Sequence, residues 1–373
     1  MKFDENSSSN KLNKNIRYKK IGIHSYYDVG TDFNELGAIR FKKILKIAKD
    51  NSIRFLKYKF NKHNNYDAIL LLDLPRPIDL IKIILKVRFQ QHKKVILVLE
   101  ETAIARKRFL IYIPFLFNGI LINTIEEKLY NPFYPIYNYK HSILNDKETI
   151  AQSKVEILKG NRPKSICYIG KNNTAFSRLT TYSVKQKIIS SFKNYPNKLS
   201  LYGINWGKTV IHMDFPYISI INRFTLIQKI IKFFISISIK LNDAKNISSL
   251  GFASSKLDIY SKHNFCLAFE PFIGRPYVIL EKIFDPMKAG CIPIYLGHQH
   301  INKFIPSDIF IKIYPSDSAK EILERINKLN EQEIQSYRER IFNYLMSDEA
   351  NQFRYEYVSN IFLNSLLKII NSK

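Results

Sequence analysis

Residues 265–297 read FCLAFEPFIGRPYVILEKIFDPMKAGCIPIYLG, and this stretch decides the fold class of the chain. The apolar run at its start is typical of a buried strand. A helical pattern opens at Glu281 after a loop, and a second apolar run ends at Gly297. Strand, loop, helix and strand in this order predict one unit of a parallel α/β sheet, which binds ligands at the carboxyl ends of its strands.

The start of this helix has the chemistry of a diphosphate site. A helix N-terminus presents unpaired N–H groups and the positive end of the helix dipole, and Lys282 adds a cation there. Glu281 is placed to accept hydrogen bonds from ribose or sugar hydroxyl groups. Taken alone, such a pair is better explained as two solvated charges in the first turn of a helix.

The same alternation of strand and helix patterns runs along the first part of the chain. Strands are predicted at 18–25, 52–58, 66–73, 94–100 and 118–123, and helices at 35–50 and 78–91. The runs YDAILLLD and KVILVLE are short, continuous and apolar, as expected of strands buried on both faces. This order predicts a parallel α/β sheet in the N-terminal part of the chain.

A polar stretch at 150–163 suits a linker, and the alternation then starts again. Strands are predicted at 165–170, 199–203, 264–270 and 292–296, helices at 178–193 and 281–289, and helical patterns from Ser318 to Lys373. Ser318 and Glu321 have the spacing of a capping box. The sequence therefore predicts an α/β fold of two Rossmann-like domains facing each other across a cleft, the GT-B arrangement. The predicted division is a disordered polar arm at 1–17, an N-terminal domain at 18–150, a C-terminal domain at 151–340 and a helical tail at 341–373.

The chain of 373 residues carries a formal net charge of +26. Such a charge suits a nucleic acid, an anionic membrane face or an anionic substrate as partner. A nucleic-acid binder concentrates its Lys and Arg on one element, whereas here they are spread along the chain, often inside Ile-rich runs such as IKIILK at 81–86. A solvated basic surface is favoured, loose peripheral contact with an anionic membrane comes second, and no nucleic acid is expected as a partner.

Cysteine usage and the N-terminus bear on the compartment. Cys167, Cys266 and Cys291 lie in apolar segments without CxxC spacing. They predict buried thiols in a reducing compartment and exclude a disulfide scaffold and a zinc site. Residues 1–20 are polar and lack the apolar core of a signal peptide, so a cytoplasmic location is expected.

The apolar segment Ile218–Leu241 is interrupted by Arg223, Lys229 and Lys232. Charges at the centre of a membrane-spanning helix are costly, so an amphipathic helix is predicted instead. Packing against the protein is favoured over docking on a membrane surface.

The stretch 265–297 resembles the donor-binding motif of the α1,3/4-fucosyltransferases, glycosyltransferase family ten, and suggests a divergent bacterial-type member. The family pattern runs roughly F-x-L-x-F-E-N, a short loop, Y-[VI]-T-E-K-[IL], a helix, and A-G-x-[VI]-P-[VI]-Y-x-G. The matching positions are Phe265, Leu267, Phe269, Glu270, Tyr277, Glu281, Lys282, Ile283, Ala289, Gly290, Pro293, Ile294, Tyr295 and Gly297. The sequence FIP at 304–306 and the sequence LYG at 201–203, followed by Trp206, extend the resemblance over about residues 150–315.

The chain departs from the family pattern at two places. Pro271 stands where the family has Asn. Three residues, VIL at 278–280, separate Tyr277 from Glu281 where the family has two, and the family Thr is absent. An added residue before the helix is expected to reset the loop, and a different donor sugar on the same scaffold is one consequence.

The resemblance implies a donor-binding set of Arg178, Glu270, Tyr277, Glu281 and Lys282. Arg178 opens a predicted helix where the family has an Arg that contacts the donor diphosphate. A guanidinium at a helix N-terminus suits a bidentate phosphate clamp. A solvated Arg at a helix start is the alternative for this position.

The family's general base is a Glu at the tip of a strand in the first domain, and Glu100, at the end of KVILVLE, matches it better than Glu101. A carboxylate there can take a proton from an acceptor hydroxyl as it attacks the anomeric carbon. The alternative is a polar residue that merely ends a buried strand.

These observations predict an inverting fucosyltransferase. GDP-fucose is the expected donor substrate and binds the C-terminal domain, and an acceptor oligosaccharide or glycolipid, such as lipopolysaccharide or another surface glycan, binds the N-terminal domain. No DxD sequence follows a predicted strand, so no metal site is expected. A tightly bound cofactor is not expected either. The alternatives are a GT-B transferase for another nucleotide sugar, a basic nucleic-acid-binding protein, and a scaffold that binds a nucleotide sugar without turnover.

Overall fold

The computed structural model describes residues 19–25, 39–59, 65–72, 75, 77–99, 116–124, 135–140, 143–175, 181–206, 210–212, 248–272 and 278–372. The polar arm at 1–17 and the segment 218–241 lie outside them. Everything below concerns the described residues.

The first half of the chain forms a six-stranded sheet in the order β2-β1-β3-β4-β5-β6, with every neighbouring pair parallel. The strands are β1 (Lys19–Ser25), β2 (Ile53–Lys57), β3 (Ala68–Leu72), β4 (Lys94–Leu99), β5 (Gly119–Asn123) and β6 (Ile136–Tyr139). Helix α1 (Ile39–Asp50) joins β1 to β2. Helix α2 (Pro77–Ile83) and the π-helix Ile84–Gln90 join β3 to β4.

Both faces of this sheet are covered, because successive side chains of a strand point to opposite sides. Leu70 and Leu72 lie in a core cluster with α1 and the last helix of the chain. Ile69 and Leu71 lie in a second cluster with the π-helix. This explains why the central strands read as continuous apolar runs.

The second half forms a five-stranded parallel sheet in the order β13-β12-β11-β7-β9 and a two-stranded parallel sheet of β8 and β10. The strands are β7 (Ile166–Ile169), β8 (Asn173–Ala175), β9 (Leu199–Tyr202), β10 (Val210–His212), β11 (Phe265–Phe269), β12 (Ile292–Leu296) and β13 (Ile311–Lys312). The α-helices, in chain order, are α3 (Lys147–Gln152), α4 (Lys154–Leu158), α5 (Tyr182–Ser191), α6 (Lys256–Tyr260), α7 (Glu281–Lys288), α8 (Ala319–Asn327), α9 (Glu331–Met346) and α10 (Tyr355–Asn371).

The C-terminal helices connect the two halves. Helix α9 packs into the core of the second half through Ile334 and Ile341. Helix α10 instead packs against α1 and the first sheet, with Phe362 and Leu366 buried there. The domain boundaries stay a prediction, and α9 runs across the one expected at 340.

Helix α7 is anchored at its C-terminal end by two buried arginines. The Nη1 of Arg162 donates to the Ala289 carbonyl at 2.6 Å, and the Nε of Arg338 donates to the Gly290 carbonyl at 3.2 Å. Gly290 has φ of +68°, and a Cβ there would lie 2.0 Å from the Ile157 carbonyl oxygen. The turn after α7 therefore requires glycine, which accounts for the Ala-Gly pair in the motif.

Most predicted elements are confirmed to within a few residues. The stretch 150–163, expected as a linker, is instead largely helical up to Leu158, in α3 and α4. The capping box at Ser318 and Glu321 is present. Cys167, Cys266 and Cys291 are free, buried and part of one small cluster, as expected. The predicted helix at 78–91 differs in form, since its second half is a π-helix.

Among the described residues, no helix is both long enough and apolar enough to cross a bilayer.

Candidate functional site

The candidate site lies at the carboxyl edge of the second sheet, around Glu270. This residue follows β11 directly and is fully buried. Its backbone N–H donates to the Leu296 carbonyl at 2.9 Å, which ties the end of β11 to the end of β12. Ligands of open α/β sheets bind at this edge.

The same residue fixes the start of α5. The hydroxyl group of Thr181, the residue before α5, donates to the Glu270 carbonyl oxygen. The backbone N–H of Thr181 donates to the Pro271 carbonyl at 3.1 Å. The N-terminus of α5 is therefore held against the end of β11.

Glu270 also fixes the start of α7. Its Oε1 accepts a hydrogen bond from the Leu280 N–H at 3.0 Å. Leu280 is the residue before α7, and its side chain offers no cap for the helix. Two helix N-termini thus converge on one residue, and each brings the positive end of a helix dipole.

The three residues that precede α7 point into two different cores. Val278 and Leu280 are buried in the cluster that covers the first sheet. Ile279, between them, is buried in the core of the second half. The segment with one residue more than the family pattern therefore contacts both halves of the molecule.

The first turn of α7 presents charged groups at this edge. The Nζ of Lys282 lies 2.8 Å from the Oε1 of Glu281, and about a third of each side chain is exposed. Both groups are accessible to a bound molecule. Donor N–H groups, a cation and a carboxylate at one helix start suit recognition of a phosphate and its neighbouring hydroxyl groups.

Lys185, one turn into α5, is a second cation close to Lys282. It is buried, and its Nζ donates to the Lys171 carbonyl at 3.0 Å. Burial and, to a smaller extent, the positive charge of Lys282 lower the pKa of Lys185 to about 7. A lysine whose pKa is lowered by burial and a neighbouring cation marks a candidate functional site.

The end of β12 packs tightly against Glu270. A Cβ on Gly297 would lie 2.6 Å from the Glu270 Cγ and 2.3 Å from the Tyr295 hydroxyl oxygen. The His298 N–H donates to that hydroxyl at 3.2 Å. Burial lowers the pKa of His298 to about 4, with smaller contributions from His300, Lys312 and Lys303, so the ring is neutral near pH 7.

The structure brings together three of the six residues expected at the site, Glu270, Glu281 and Lys282. Glu100, Arg178 and Tyr277 lie outside the described residues. Glu270 is fully buried and supports the two helix starts, and its contact with a donor stays a prediction. Lys185 was not predicted, because a lysine in an amphipathic helix is normally exposed.

Within the described part of the chain, no group of three or more His, Cys, Asp or Glu side chains is arranged to hold a metal ion.

Residues 208–354 match the model of the C-terminal region of glycosyltransferase family 10 (fucosyltransferase). The match includes β11, α7 and β12, and it extends beyond 315, where the sequence resemblance ends.

The chain is also similar to a relative in Danio rerio, GDP-fucose protein O-fucosyltransferase 3. The two are 31% identical over 73 residues, which are 19% of this chain and 16% of that relative. The chain therefore matches only a small part of this relative's length.

Two solved structures share the fold. A glycosyltransferase from Rickettsia africae superposes with a TM-score of 0.52 at 12% identity, over 96% of this chain and 100% of that one. An alpha1,3-fucosyltransferase superposes with a TM-score of 0.50 at 12% identity, over 98% of this chain and 94% of that one. The fold is GT-B, as the sequence predicts.

The environment of Lys185 predicts a pH-dependent effect on stability. The folded protein releases the proton of this lysine near pH 7, whereas the unfolded chain keeps it up to the ordinary pKa of 10.5. The unfolded state therefore binds more protons between these two values, and the cost of burying the charge is complete below pH 7 and falls as the pH rises. Relative to Lys185→Met, the wild type should gain on the order of 2 kcal/mol in the free energy of unfolding between about pH 6 and pH 9.

Urea unfolding at the two pH values measures this difference. Lys187→Met is the matched control, because Lys187 is exposed on the same helix. If the free energy of unfolding depends on pH equally in the wild type and in Lys185→Met, the predicted cost of burying the charge of Lys185 is contradicted.

Proposed function

We propose that this protein is an inverting fucosyltransferase that transfers fucose from GDP-fucose to a hydroxyl group of an acceptor glycan. The observation that carries the proposal is the convergence of the α5 and α7 N-termini on Glu270, with Lys282 beside them. The family model that matches residues 208–354 supports fucose as the transferred sugar, and the name of the Danio rerio relative supports GDP-fucose as the donor.

The donor diphosphate would lie between the two helix starts. Lys282 and the N–H groups of α7 would contact it from one side, and Arg178, which precedes α5 in the sequence, from the other. Glu281 would accept hydrogen bonds from hydroxyl groups of the ribose or the sugar. Tyr277 is proposed as a further donor contact, and Glu270 as the residue that positions both helix starts.

Lys185 would respond to the charge of the diphosphate. Lys282 and burial together disfavour the charged form of Lys185 in the free protein. A bound anion favours that form, so donor binding would restore the positive charge beneath the site. The charges of the departing GDP would then face Lys185, Lys282 and Arg178, which stabilise a leaving group without protonating it.

The acceptor would bind the first half of the molecule, at the carboxyl edge of its parallel sheet, where such sheets bind ligands. Glu100 follows β4 at that edge and is proposed as the general base. It would take the proton of the acceptor hydroxyl while the oxygen attacks the anomeric carbon from the face opposite GDP, so the configuration inverts. We propose a surface polysaccharide or lipopolysaccharide as the acceptor, assembled at the cytoplasmic face of the membrane.

A different nucleotide sugar is the second candidate for the donor. Pro271 and the added residue in 278–280 are the two departures from the family pattern. Val278 and Leu280 contact the first half while Ile279 contacts the second. A change in how the two halves contact the donor would change which sugar the site accepts.

Turnover of the donor tests the proposed site. Lys282→Ala should lower the rate of GDP release from GDP-fucose by roughly 10²-fold, because a cation that faces the developing charge is lost. Lys320→Ala is the control, since Lys320 is exposed on α8 and should leave the rate unchanged. Equal rates for the Lys282 variant and the wild type would exclude Lys282 from the site, and no turnover in the wild type would reject GDP-fucose as the donor.

Transfer to an acceptor tests Glu100 separately. Glu100→Gln should reduce transfer by roughly 10²–10⁴-fold, the usual contribution of a general base, and should leave GDP affinity unchanged. Glu101→Gln is the matched control and should transfer normally. If Glu101→Gln is the inactive variant, the base is misassigned.

A further inference from the structure

The helical segment that follows β3 carries an exposed apolar stripe. Ile78, Ile81, Leu85 and Phe89 are 60%, 57%, 52% and 52% exposed. They are spaced three, four and four residues apart, so they follow one side of α2 and the π-helix. A contiguous patch of large apolar side chains on a surface marks an interaction site.

The opposite side of the same segment is apolar too. Ile83, Ile84 and Val87 are buried in the cluster that covers the first sheet. A helix that is apolar on both sides is expected to contact a second apolar environment in addition to the core of its own domain. The π-helix Ile84–Gln90 is also a rare form that occurs frequently at functional sites.

The charges beside the stripe identify the partner. Lys82 and Lys86 are exposed and lie next to it, and Lys93 and Lys94 follow within a few residues. Asp79 is the one acidic residue in the sequence 77–94 and is half-buried. Apolar side chains flanked by lysines on a protein of net charge +26 complement an anionic lipid surface.

We propose that the exposed face of residues 78–89 is a membrane-docking surface, which inserts its four apolar side chains among the lipids of an anionic bilayer while Lys82 and Lys86 contact the headgroups. The segment follows β3 at the carboxyl edge of the first sheet, the edge at which Glu100 follows β4. Because the segment begins at that edge and runs back to the start of β4 at the amino edge, docking lays the first sheet side-on against the bilayer, with the acceptor edge beside its surface.

This placement specifies the acceptor class. A glycan linked to a lipid remains in the bilayer and reaches an enzyme whose acceptor edge lies beside the surface. The assignment of a lipid-linked acceptor rests on the proposed function, whereas the docking itself does not. The π-helix also shares one apolar cluster with Val278 and Leu280, the residues that lead into α7.

Sedimentation of the full chain with vesicles tests the docking surface. The wild type should bind vesicles rich in phosphatidylglycerol and bind pure phosphatidylcholine vesicles much less. Leu85→Ser/Phe89→Ser should lower the partition coefficient on anionic vesicles by at least about tenfold, because two inserted side chains are lost. Lys82→Gln/Lys86→Gln should lower it by roughly fivefold per lysine and remove most of the dependence on lipid charge.

The control is Val155→Ser/Phe252→Ser, which removes two apolar side chains of the second half that are 82% and 83% exposed. It should bind vesicles like the wild type. GDP-fucose hydrolysis in solution should be equal in all four proteins, which checks their folding and separates a failure of docking from a failure of the proposed function.

Three results would overturn the docking surface. The first is a wild type that does not bind anionic vesicles. The second is equal loss of binding in the Leu85/Phe89 pair and in the control pair, which would mean that no particular face docks. The third is a wild type that self-associates in analytical ultracentrifugation and becomes monomeric through Leu85→Ser/Phe89→Ser without any vesicle binding, which would assign the stripe to a contact between two copies.

Discussion

The carboxylate of Glu270 accepts the Leu280 N–H at 3.0 Å, and the candidate site depends on this hydrogen bond. Through its backbone, the same residue holds β12 and the start of α5. Removing the side chain would leave a buried N–H without an acceptor at the start of α7, which costs about 1–3 kcal/mol and loosens a helix start that must be rigid. Positioning by buried hydrogen bonds is what an electrostatic site requires, because dipoles stabilise charge only where they are already oriented.

The segment 278–280 extends this constraint to the whole molecule. Its side chains alternate between the cluster of the first sheet and the core of the second half. Helix α10 makes the second connection, since it leaves the second half and packs on the first sheet. Helix α7 is thus held between the two halves at its N-terminus and by Arg162 and Arg338 at its C-terminus.

Sequence patterns predict much of this fold because the long parallel strands are continuous apolar runs between turn residues. The run at 292–296 is reproduced to the residue. The strands Asn173–Ala175, Val210–His212 and Ile311–Lys312 were not predicted, because two or three residues are too few for a pattern. The periodicity at 78–91 predicts a helix correctly but cannot say that Ile81 and Leu85 face outward, since this depends on which residues meet the sheet.

The candidate site was predicted where chemistry and spacing act locally, at Glu281 and Lys282. The predicted set of site residues is incomplete where contacts between distant parts of the chain decide which residues meet. Lys185 stands out only in the structure, where it is buried and lies near Lys282. The hydrogen bond by which Glu270 supports the start of α5 joins residues 89 positions apart in the sequence. The same limit applies to α10, because no local sequence pattern indicates that this helix packs against the first sheet.

The most direct test of the account is nucleotide binding to the wild type, measured as the rise in melting temperature with GDP, UDP and CMP at equal concentration. Ligand linkage stabilises the folded state only where the ligand binds it, so a site built from two helix starts and Lys282 should give a clear rise with a nucleoside diphosphate. The account predicts the largest rise with GDP and its loss in Lys282→Ala. A protein that no nucleotide stabilises, or one that GDP stabilises equally with and without Lys282, would contradict it.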